Sequence, residues 1–539
     1  MTNFKKYTFG VVTYAALFLS FNASAQEAPK NWHQLDLKTD GYYGISLNNA
    51  YNFVKGKKGK TVVVATIDSG IDTAQKDLKS ILWVNPKETA ANGKDDDGNG
   101  LVDDVHGWDF LGGPGGKVNY TETTEEIREY ARLKPKYGTL TSAPAGSEKE
   151  YAYWLNVKKI HDATFEKSST EAAQIGQMIN ALMATSGYIK RELKLAPSAT
   201  FTKADLEKIT ATNNDTIMQS KGVWMQMFEQ AEGDNGKVMK DIAQYMEKLN
   251  NDINPDLESR KRIMGDNPDE RGGKPYGNNI LKAPDASHGT GVAGLIGAVR
   301  GNNYGIDGVA DNVRIMAIKA VPNGDEYDKD IANAIRYAVD NGAKVINMSF
   351  GKKLSPHKDW VDEAFKYAAG KDVLLVQASG NDGQDMDIKP QYPNDIFEDG
   401  SSSDAANVIC VGASGAKAGD ELAASFSNYG KKNVDVFAPG AKVTSIDTDA
   451  EFNTADGTSF SSPIVAGVAA LILEHYPTLS AKQLKQVILE SATPLTGSMT
   501  LKPGSKDQKV DFTTLSKAGG IVNAYKALQI ASKLKGERK

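Results

Sequence analysis

The feature that most constrains the fold of this chain is a glycine-containing turn that runs directly into a long apolar stretch. The turn is Gly457-Thr458-Ser459-Phe460-Ser461-Ser462-Pro463, and residues 464–473 after it are all apolar or glycine. Such a series predicts a helix buried inside a large core. A hydroxyl at the start of that helix lies at the positive end of the helix dipole, where developing negative charge is stabilised. Ser459 is therefore a candidate nucleophile, and the alternative is that Ser459 or Ser461 only caps the helix.

Continuous β-branched and aliphatic runs predict strands that are covered on both faces. The first run ends in Asp68, at the carboxyl end of a strand, where α/β folds place their sites. The predicted strands are residues 61–67, 313–320, 343–350, 373–378, 407–412 and 434–437. Helical segments separate several of these runs, and this alternation favours a mainly parallel sheet with right-handed crossovers. The predicted fold class is therefore α/β.

The composition changes between residues 121 and 271. Glycine becomes sparse, and apolar residues recur at helical spacing, as at Ile175, Met178, Ile179, Leu182 and Met183. We therefore expect an inserted all-α subdomain whose apolar stripes form its own core. The predicted organisation is a signal segment, a first α/β segment with an acidic loop at 95–104, a helical insertion and a second α/β segment, at 1–25, 26–120, 121–271 and 272–539.

Charge and cysteine content argue against a nucleic-acid-binding protein and against a protein held together by disulfides. The chain of 539 residues has 63 basic and 68 acidic side chains and a net charge of -5, which gives no reason to expect nucleic acid as a partner. Its single cysteine, Cys410, cannot form an internal disulfide. Because Cys410 lies in an apolar run, we expect a buried, inert thiol.

The first 25 residues have the three parts of a secretory signal. Lys5 and Lys6 precede an uncharged, mostly apolar run, and Ala23-Ser24-Ala25 provides the cleavage motif. The apolar run is too short to span a bilayer. We therefore expect cleavage after Ala25, a secreted or periplasmic protein, and no membrane anchor after signal removal. An uncleaved anchor is the alternative.

The acidic loop resembles a calcium-binding loop. Oxygen-bearing side chains recur at alternate positions, at Asp95, Asp97, Asn99 and Asp103. Gly100 stands at the sixth position, as in an EF-hand-type loop, but the twelfth position is His106 instead of a bidentate Glu. The sequence therefore predicts a Ca²⁺ loop with non-standard closure, and a solvated acidic turn is the alternative.

Asp68, His288 and Ser459 complete a possible nucleophilic system. They occur in the chain order Asp, His, Ser, which is one of the known orders for such triads. The imidazole can take the serine proton, and the carboxylate can hold the imidazole in the correct tautomer. The three residues therefore favour Ser459 as a nucleophile over Ser459 as a cap.

The chain resembles the subtilisin-like serine proteases, or subtilases. Four segments stand in the family's order, at residues 68–72, 288–294, 378–381 and 457–463. The resemblance implies a three-layer subtilisin-like fold that hydrolyses peptide bonds of protein or peptide substrates through an acyl-enzyme. It also implies that Asn381 supplies the side-chain donor of the oxyanion hole.

The same resemblance implies the substrate-binding residues and a further metal position. An edge that pairs with extended substrate backbone would be formed by Ser349, Phe350 and Gly351. The pocket for the residue before the cut would be lined by Ala378, Ser379 and Gly380, whose small side chains favour a roomy apolar pocket. Further structural Ca²⁺ ligands would be Asp77 and the Asn302-Asn303 loop.

The chain departs from the family pattern in two places. Asp68 and His288 lie 220 positions apart, and we expect the insertion between them to assist folding, cover the cleft or select substrates. A solvent-facing decoration is the alternative. The residues between Ala25 and Asp68 are too few for the usual folding pro-domain, so assisted folding and latency must work differently.

Two other functions compete with a protease. One is a catalytically silent peptide-binding or chaperone-like module on the same scaffold, which would gain nothing from keeping the triad and Asn381. The other is a secreted esterase, which would be expected to carry a G-x-S-x-G turn that is absent at Ser459. The sequence therefore favours a serine endopeptidase.

Overall fold

The computed structural model describes residues 28–210, 214–230, 233–271, 275–282 and 286–538. The predicted signal sequence, with its cleavage site after Ala25, lies outside the described residues. Among the described residues, the chain forms two compact units. One unit is Glu126–Leu257, and the other holds the segments before and after it.

The strands, numbered in chain order, are β1 (Val62–Asp68), β2 (Gly107–Asp109), β3 (Gly112–Gly113), β4 (Lys117–Val118), β5 (Val313–Lys319), β6 (Val345–Met348), β7 (Leu374–Ala378), β8 (Val408–Ser414), β9 (Val436–Pro439), β10 (Val443–Ile446), β11 (Phe452–Ala455), β12 (Thr493–Pro494), β13 (Met499–Leu501), β14 (Lys509–Asp511) and β15 (Gly520–Ile521).

The α-helices are α1 (Leu37–Asp40), α2 (Leu47–Val54), α3 (Glu125–Tyr137), α4 (Glu148–Glu192), α5 (Lys203–Glu207), α6 (Asp215–Gln230), α7 (Asn235–Ile253), α8 (Ser259–Met264), α9 (Ser287–Gly297), α10 (Asp328–Asp340), α11 (Lys358–Gly370), α12 (Thr458–His475), α13 (Ala481–Ser491) and α14 (Ala524–Ala531).

A nine-stranded sheet organises the larger unit, in the order β12-β15-β9-β8-β7-β6-β1-β5-β2. Every neighbouring pair except β12 and β15 is parallel. β1 lies between β6 and β5, so the strand order reverses there, and such reversals open a crevice at the carboxyl ends of the strands. The sheet confirms the predicted α/β class with a mainly parallel centre.

Helices cover both faces of this sheet. Val345 and Leu374 pack into a core with α9 and α12, whereas the next residues, Ile346 and Leu375, pack into a second core with α10 and α11. This alternation follows from the two-residue period of a strand. Because both faces are buried, the strands are the continuous apolar runs seen in the sequence. The predicted three-layer arrangement is confirmed.

Helix α12 is the central helix of the first core. Its residues from Phe460 to Glu474 are all buried, and it packs against α9 and β6 to β9. The buried helix predicted from the apolar series is therefore confirmed. Its first turn lies beside the carboxyl ends of β6 and β7, which brings Ser459 to the edge where the sheet opens.

The segment before β1 belongs to the same core. Trp32, Ile45 and Leu47 are almost completely buried in it. Ser46 is the N-cap residue of α2, but it has φ 58° and makes no side-chain cap bond. Its hydroxyl donates instead to Asp36 Oδ2 at 2.6 Å, since the left-handed backbone at Ser46 turns the side chain away from the helix.

The helical unit has its own core. Helix α4 runs for 45 residues and packs against α6 and α7. Ile175 and Leu182 of the predicted stripe are buried with Trp224 and Ile242, but Met183 is 62% exposed. Within the part of the chain that the structure describes, no helix is both long and apolar enough to cross a membrane.

Candidate active site

The sheet register brings three predicted site segments to one level. Asp68 ends β1, and its neighbour Ile67 pairs with Met348, which in turn pairs with Gln377. The residues after Met348 and Gln377 are Ser349 and Ala378. The chain therefore leaves three adjacent parallel strands at the same edge of the sheet.

Asp68 and His288 form a direct hydrogen bond. Nδ1 of His288 lies 2.7 Å from Oδ1 of Asp68, which also accepts the Ser69 backbone N–H at 2.8 Å. Asp68 is buried, whereas the His288 side chain is 22% exposed. An ionised carboxylate can only accept, so Nδ1 carries the proton and the lone pair of the neutral ring lies on Nε2. This is the tautomer that a general base requires.

A glycine allows this close approach of α9 to β1. His288 is the second residue of α9, and Gly289 follows it. A β-carbon on Gly289 would lie 2.1 Å from the Gly70 carbonyl oxygen and 3.2 Å from Asp68 Cβ. Any larger residue would therefore push the helix, and His288 with it, away from Asp68.

Ser459 is the second residue of α12, and its carbonyl is held by Ser349. The Ser349 hydroxyl lies 2.9 Å from the Ser459 carbonyl oxygen, 2.8 Å from Ser462 Oγ and 2.9 Å from Asn347 Nδ2. The first turn of α12 is thus bonded to the residue that follows β6. The sequence predicted Ser349 only as a substrate-binding residue and did not reveal this contact.

Asn381 is oriented by Thr458. Its Oδ1 accepts the Thr458 backbone N–H at 2.9 Å and the Thr458 hydroxyl at 3.0 Å. A backbone N–H can only donate, so the atom facing it must be the amide oxygen, and Nδ2 is directed elsewhere. The sequence did not predict this role of Thr458.

The donors of a possible oxyanion hole converge near Gly457. A β-carbon placed on Gly457 would lie 3.5 Å from Ser459 Oγ, 3.6 Å from the Ser459 backbone nitrogen and 3.7 Å from Asn381 Nδ2. The Ser459 hydroxyl, a backbone N–H and a side-chain amide therefore border the same small space. That arrangement can bind the oxygen of a carbonyl under attack.

The loop that carries Asn381 is fixed by Asn428, which is fully buried. Asn428 Nδ2 donates to the Ser379 carbonyl at 2.8 Å, and its Oδ1 accepts the N–H groups of Asp382 and Gln384 at 3.1 and 2.9 Å. Asn428 lies 49 positions from Ser379. No local sequence signal could therefore have assigned it to the site.

The predicted pocket contains an unexpected amide. Ser379 is fully buried, and its hydroxyl donates to the Asn428 carbonyl, so it stabilises the loop. Oε1 of Gln391 would lie 2.1 Å from a β-carbon on Gly380 and 3.6 Å from one on Gly351. The side chain of Gln391 thus reaches the space between the two predicted walls. The sequence did not predict this amide beside Gly380.

The structure groups only part of the predicted calcium loop. Carboxylate oxygens of Asp95, Asp97 and Glu88 lie within 4.8 Å of one another. Glu88 Oε2 is buried and has no hydrogen-bond partner among the described residues. Asp103 is not in this group. Its two oxygens accept the backbone N–H groups of residues 92 and 93 at 3.0 and 2.9 Å.

Asn99 also bonds within the loop. Its Nδ2 donates to Asp104 Oδ2 at 3.1 Å, and its Oδ1 accepts the Leu101 backbone N–H at 2.7 Å. Glu88 was not predicted, since it lies seven positions before the motif. The donor set that the fold brings together is therefore Glu88, Asp95 and Asp97.

Asp77 lies in a separate, fully buried position. Its Oδ1 accepts Asn302 Nδ2 at 2.6 Å, and its Oδ2 has no hydrogen-bond partner in the described part of the chain. Burial raises the pKa of the Asp77 carboxyl above its usual value, against the opposing effect of the Asn302 hydrogen bond. A buried carboxylate oxygen without a donor fits a bound cation.

The chain is similar in sequence to a known protein family and to several of its members. The sequence model of the Subtilase family matches residues 59–519. The thermophilic serine proteinase of Bacillus sp. (strain AK1) is 39% identical over 215 residues, which are 40% of this chain and 49% of that protein. Subtilisin DY of Bacillus licheniformis is 39% identical over 211 residues, which are 39% of this chain and 71% of that protein.

Among solved structures, one described as the structural basis of subtilase cytotoxin SubAB assembly is similar over 48% of this chain and 81% of that chain. Its sequence identity is 27% and its TM-score 0.39. The chain spans about half the length of the strain AK1 proteinase. The family model, by contrast, covers both α/β segments and the insertion between them. The chain belongs to the subtilase family of serine proteases.

Proposed function

We propose that this chain is a secreted serine endopeptidase that uses Asp68, His288 and Ser459. The observation that carries the proposal is the space beside Gly457, where Ser459 Oγ, the Ser459 N–H and Asn381 Nδ2 converge. The bond from His288 Nδ1 to Asp68 supports it, because it leaves Nε2 as the basic nitrogen.

In the proposed reaction, Ser459 Oγ attacks the scissile carbonyl while His288 Nε2 takes the hydroxyl proton. Asp68 keeps the ring in the reactive tautomer and stabilises the imidazolium. His288 then gives the proton to the leaving amine, which leaves an acyl group on Ser459. A water molecule, deprotonated by His288, hydrolyses that ester and restores the enzyme.

The oxyanion formed in both steps would be bound by the Ser459 N–H and Asn381 Nδ2. Such a preorganised donor contributes about 3 kcal/mol to transition-state stabilisation. Thr458 contributes by holding Asn381 Oδ1, so that Nδ2 needs no reorganisation as charge develops. The proposed reaction uses only the four predicted catalytic residues and Thr458.

We further propose how peptide substrates bind. Extended backbone would pair with Ser349, Phe350 and Gly351 by β-augmentation. In the pocket bordered by Gly380, Gln391 Nε2 donates to Asp382 Oδ2 at 2.6 Å, which leaves Gln391 Oε1 as an acceptor. The pocket would therefore favour a residue before the cut that can donate a hydrogen bond.

We propose structural Ca²⁺ at the Glu88, Asp95 and Asp97 group and a second ion at Asp77. The carboxylate oxygens match the ligands that Ca²⁺ prefers. The buried, unpartnered oxygens of Glu88 and Asp77 support both positions. Bound Ca²⁺ would stabilise the loops by cancelling like charges and would take no part in the chemistry.

Export follows from the predicted signal and would place the enzyme outside the cytoplasm.

The proposed activity is tested by hydrolysis of casein by the purified protein and by Ser459→Ala. Activity in the wild type and its loss by more than about 1,000-fold in Ser459→Ala is expected for a triad nucleophile. Casein binding without hydrolysis by both proteins would support the silent peptide-binding module instead.

A further inference from the structure

A buried lysine directly follows the proposed substrate-binding edge. Lys352 is only 3% exposed, and its ammonium lies 2.6 Å from Glu125 Oε2, 2.9 Å from Asp328 Oδ1 and 2.9 Å from the Glu326 carbonyl oxygen. An ammonium has three N–H donors, which these acceptors can use. The acceptors come from two segments that are far apart in the chain, at residue 125 and at residues 326–328, so Lys352 joins those segments at one point.

The backbone of Lys352 is fixed as well. Its N–H donates to the Tyr392 carbonyl at 2.8 Å, and its carbonyl accepts the Tyr392 N–H at 2.9 Å. At the other end of the edge, the Ser349 hydroxyl donates to the Ser459 carbonyl. The edge of residues 349–351 is therefore held at both ends, at the nucleophile's helix and at Lys352.

The positive charge of Lys352 compensates the buried carboxylates around it. Glu125, Glu326 and Asp328 are each at most 5% exposed. Burial raises the pKa of Glu326 to about 8, and the nearby Lys352 charge opposes that rise. Buried carboxylates are costly unless a cation or hydrogen bonds compensate them. Loss of the Lys352 ammonium would therefore disturb the cluster and the backbone attached to it.

Glu125 reaches this cluster through a short strand-like contact. Glu122 N–H donates to the Asn323 carbonyl at 3.3 Å, and Glu125 N–H donates to Asp325 Oδ2 at 2.9 Å. Glu125 is the last residue of the α/β unit before the helical unit in the chain. The segment that leads into the insertion thus belongs to the same cluster as the end of the substrate edge.

We propose that Lys352 is a positioning residue for extended substrates, acting through the backbone of Gly351. This inference rests on the proposed protease function. Gly351 lies two residues beyond Ser349, roughly 7 Å along an extended chain at about 3.3 Å per residue. A substrate with one residue before the cut cannot reach it, whereas one with four residues can. Lys352 therefore affects the binding of long substrates more than the chemical step.

The test compares two chromogenic amides with the same residue before the cut, one carrying a tetrapeptide and one a single residue. In Lys352→Met, kcat/KM for the tetrapeptide should fall about tenfold more than for the single-residue amide, the effect of one or two weakened backbone hydrogen bonds. The change should appear in KM. Lys352→Arg should restore part of the loss, because it keeps the charge.

Lys485→Met is the matched control. Lys485 is also a buried lysine, bonded to Asp404 Oδ1 at 2.5 Å and to the Ala405 carbonyl at 3.1 Å, but on α13. It should lower stability without separating the two substrates. If Lys352→Met does not fold, Glu125→Gln removes the charge of one ion-pair partner of Lys352 and should shift the tetrapeptide KM in the same direction.

The outcomes separate this inference from the proposed function. Wild-type protein that hydrolyses neither amide would contradict the protease assignment itself. Wild-type protein that hydrolyses both, with Lys352→Met or Glu125→Gln changing the two amides equally or not at all, would overturn the positioning role alone.

Discussion

At the scale of single residues, the proposed catalysis depends on how neighbours orient the four predicted catalytic groups. Asp68 fixes the His288 tautomer, and Thr458 fixes the Asn381 amide. Each orienting contact uses a donor or acceptor whose role is unambiguous. The contributions of these neighbours can therefore be measured by removing one hydrogen bond at a time.

Thr458→Val removes the hydroxyl that donates to Asn381 Oδ1 and accepts the Gly380 N–H at 3.1 Å, but it keeps the backbone donor to Asn381. We expect kcat to fall about fivefold with little change in KM, since one hydrogen bond contributes about 1 kcal/mol. Asn381→Ala should cost about 100-fold or more. Steady-state kinetics on one peptide amide measures both.

The double variant of Thr458 and Asn381 provides the check. If Thr458 acts through Asn381, the double variant should be no slower than Asn381→Ala alone. Fully additive losses would contradict the orienting role. Thr454→Val, which removes a 2.8 Å threonine–threonine contact in β11, is the control for loss of a hydroxyl.

Glu474 near the end of α12 makes stability depend on pH. Burial, followed by the neighbouring Asp311 charge, raises the pKa of Glu474 to about 8. The folded protein therefore keeps a proton that the unfolded chain releases near pH 4.5. Stability should fall as pH rises from about 4.5 through 8. Relative to the wild type, Glu474→Gln should accordingly gain more stability at pH 9 than at pH 6.

Urea unfolding at the two pH values measures this difference. Glu490→Gln, on the exposed side of α13, is the control and should show no such dependence. An equal effect of Glu474→Gln at pH 6 and pH 9 would mean that Glu474 is ionised at both.

At the scale of elements, the strands of the sheet were the easiest to predict. Residues 62–68 and 408–414 are buried on both faces, except for the half-buried Val63, so their side chains are mostly apolar, and such runs favour strands. The strand ends then located Asp68 and Asn381. Ser46 stands at the N-cap of α2 but makes no side-chain cap bond, and its contact with Asp36 could not be predicted because it depends on how the chain turns before α2.

The contacts that complete the site could not be predicted, because they join residues far apart in the chain. Asn428 meets Ser379 across 49 positions, and Lys352 meets Glu125 across 227. Neither residue belongs to a motif, and hydrogen-bonding side chains of these types are common. The motifs predicted the reacting groups, whereas only the fold revealed what orients them.

The acidic loop offers a test of a single element. Ca²⁺ should raise the thermal midpoint of the protein, and a chelator should reverse the rise, because an ion bound only to the folded state stabilises it. Glu88→Gln should lower the effect of Ca²⁺ by the part that this loop contributes and leave the part that comes from the ion at Asp77. Asp103→Asn should retain it, since Asp103 lies outside the group.

Scanning calorimetry with and without Ca²⁺ distinguishes the two ligand sets. Loss of the Ca²⁺ effect in Asp103→Asn, with Glu88→Gln unaffected, would favour the EF-hand-like set that the sequence predicts. No effect of Ca²⁺ on the wild type would contradict both sets.

At the scale of the whole molecule, the segment before β1 is an integral part of the α/β unit. Trp32, Ile45 and Leu47 each bury a large apolar side chain, worth about 1.5–3 kcal/mol apiece. Their sum approaches the total stability of a typical domain, about 5–15 kcal/mol. Proteolytic maturation that removed residues 28–54 would therefore destroy the fold.

A truncation series tests that statement. A chain that begins at residue 28 should unfold at the same urea concentration as one that begins at residue 26. A chain that begins at residue 56 should be insoluble or unfolded by circular dichroism. A folded, active protein that lacks residues 28–54 would contradict the assignment of these residues to the core.

We propose that Asp68, His288 and Ser459, from separate segments of the chain, come together so that Ser459 acts as a nucleophile. The most direct measurement is mass-spectrometric mapping of a serine-reactive phosphonate on the purified, Ca²⁺-supplied protein, with Ser459→Ala and His288→Ala in parallel. We expect labelling at Ser459 alone, none in Ser459→Ala, and a rate lowered by at least about 1,000-fold in His288→Ala. Labelling at other serines, or labelling of Ser459 at an unchanged rate in His288→Ala, would contradict the assembly of this nucleophile.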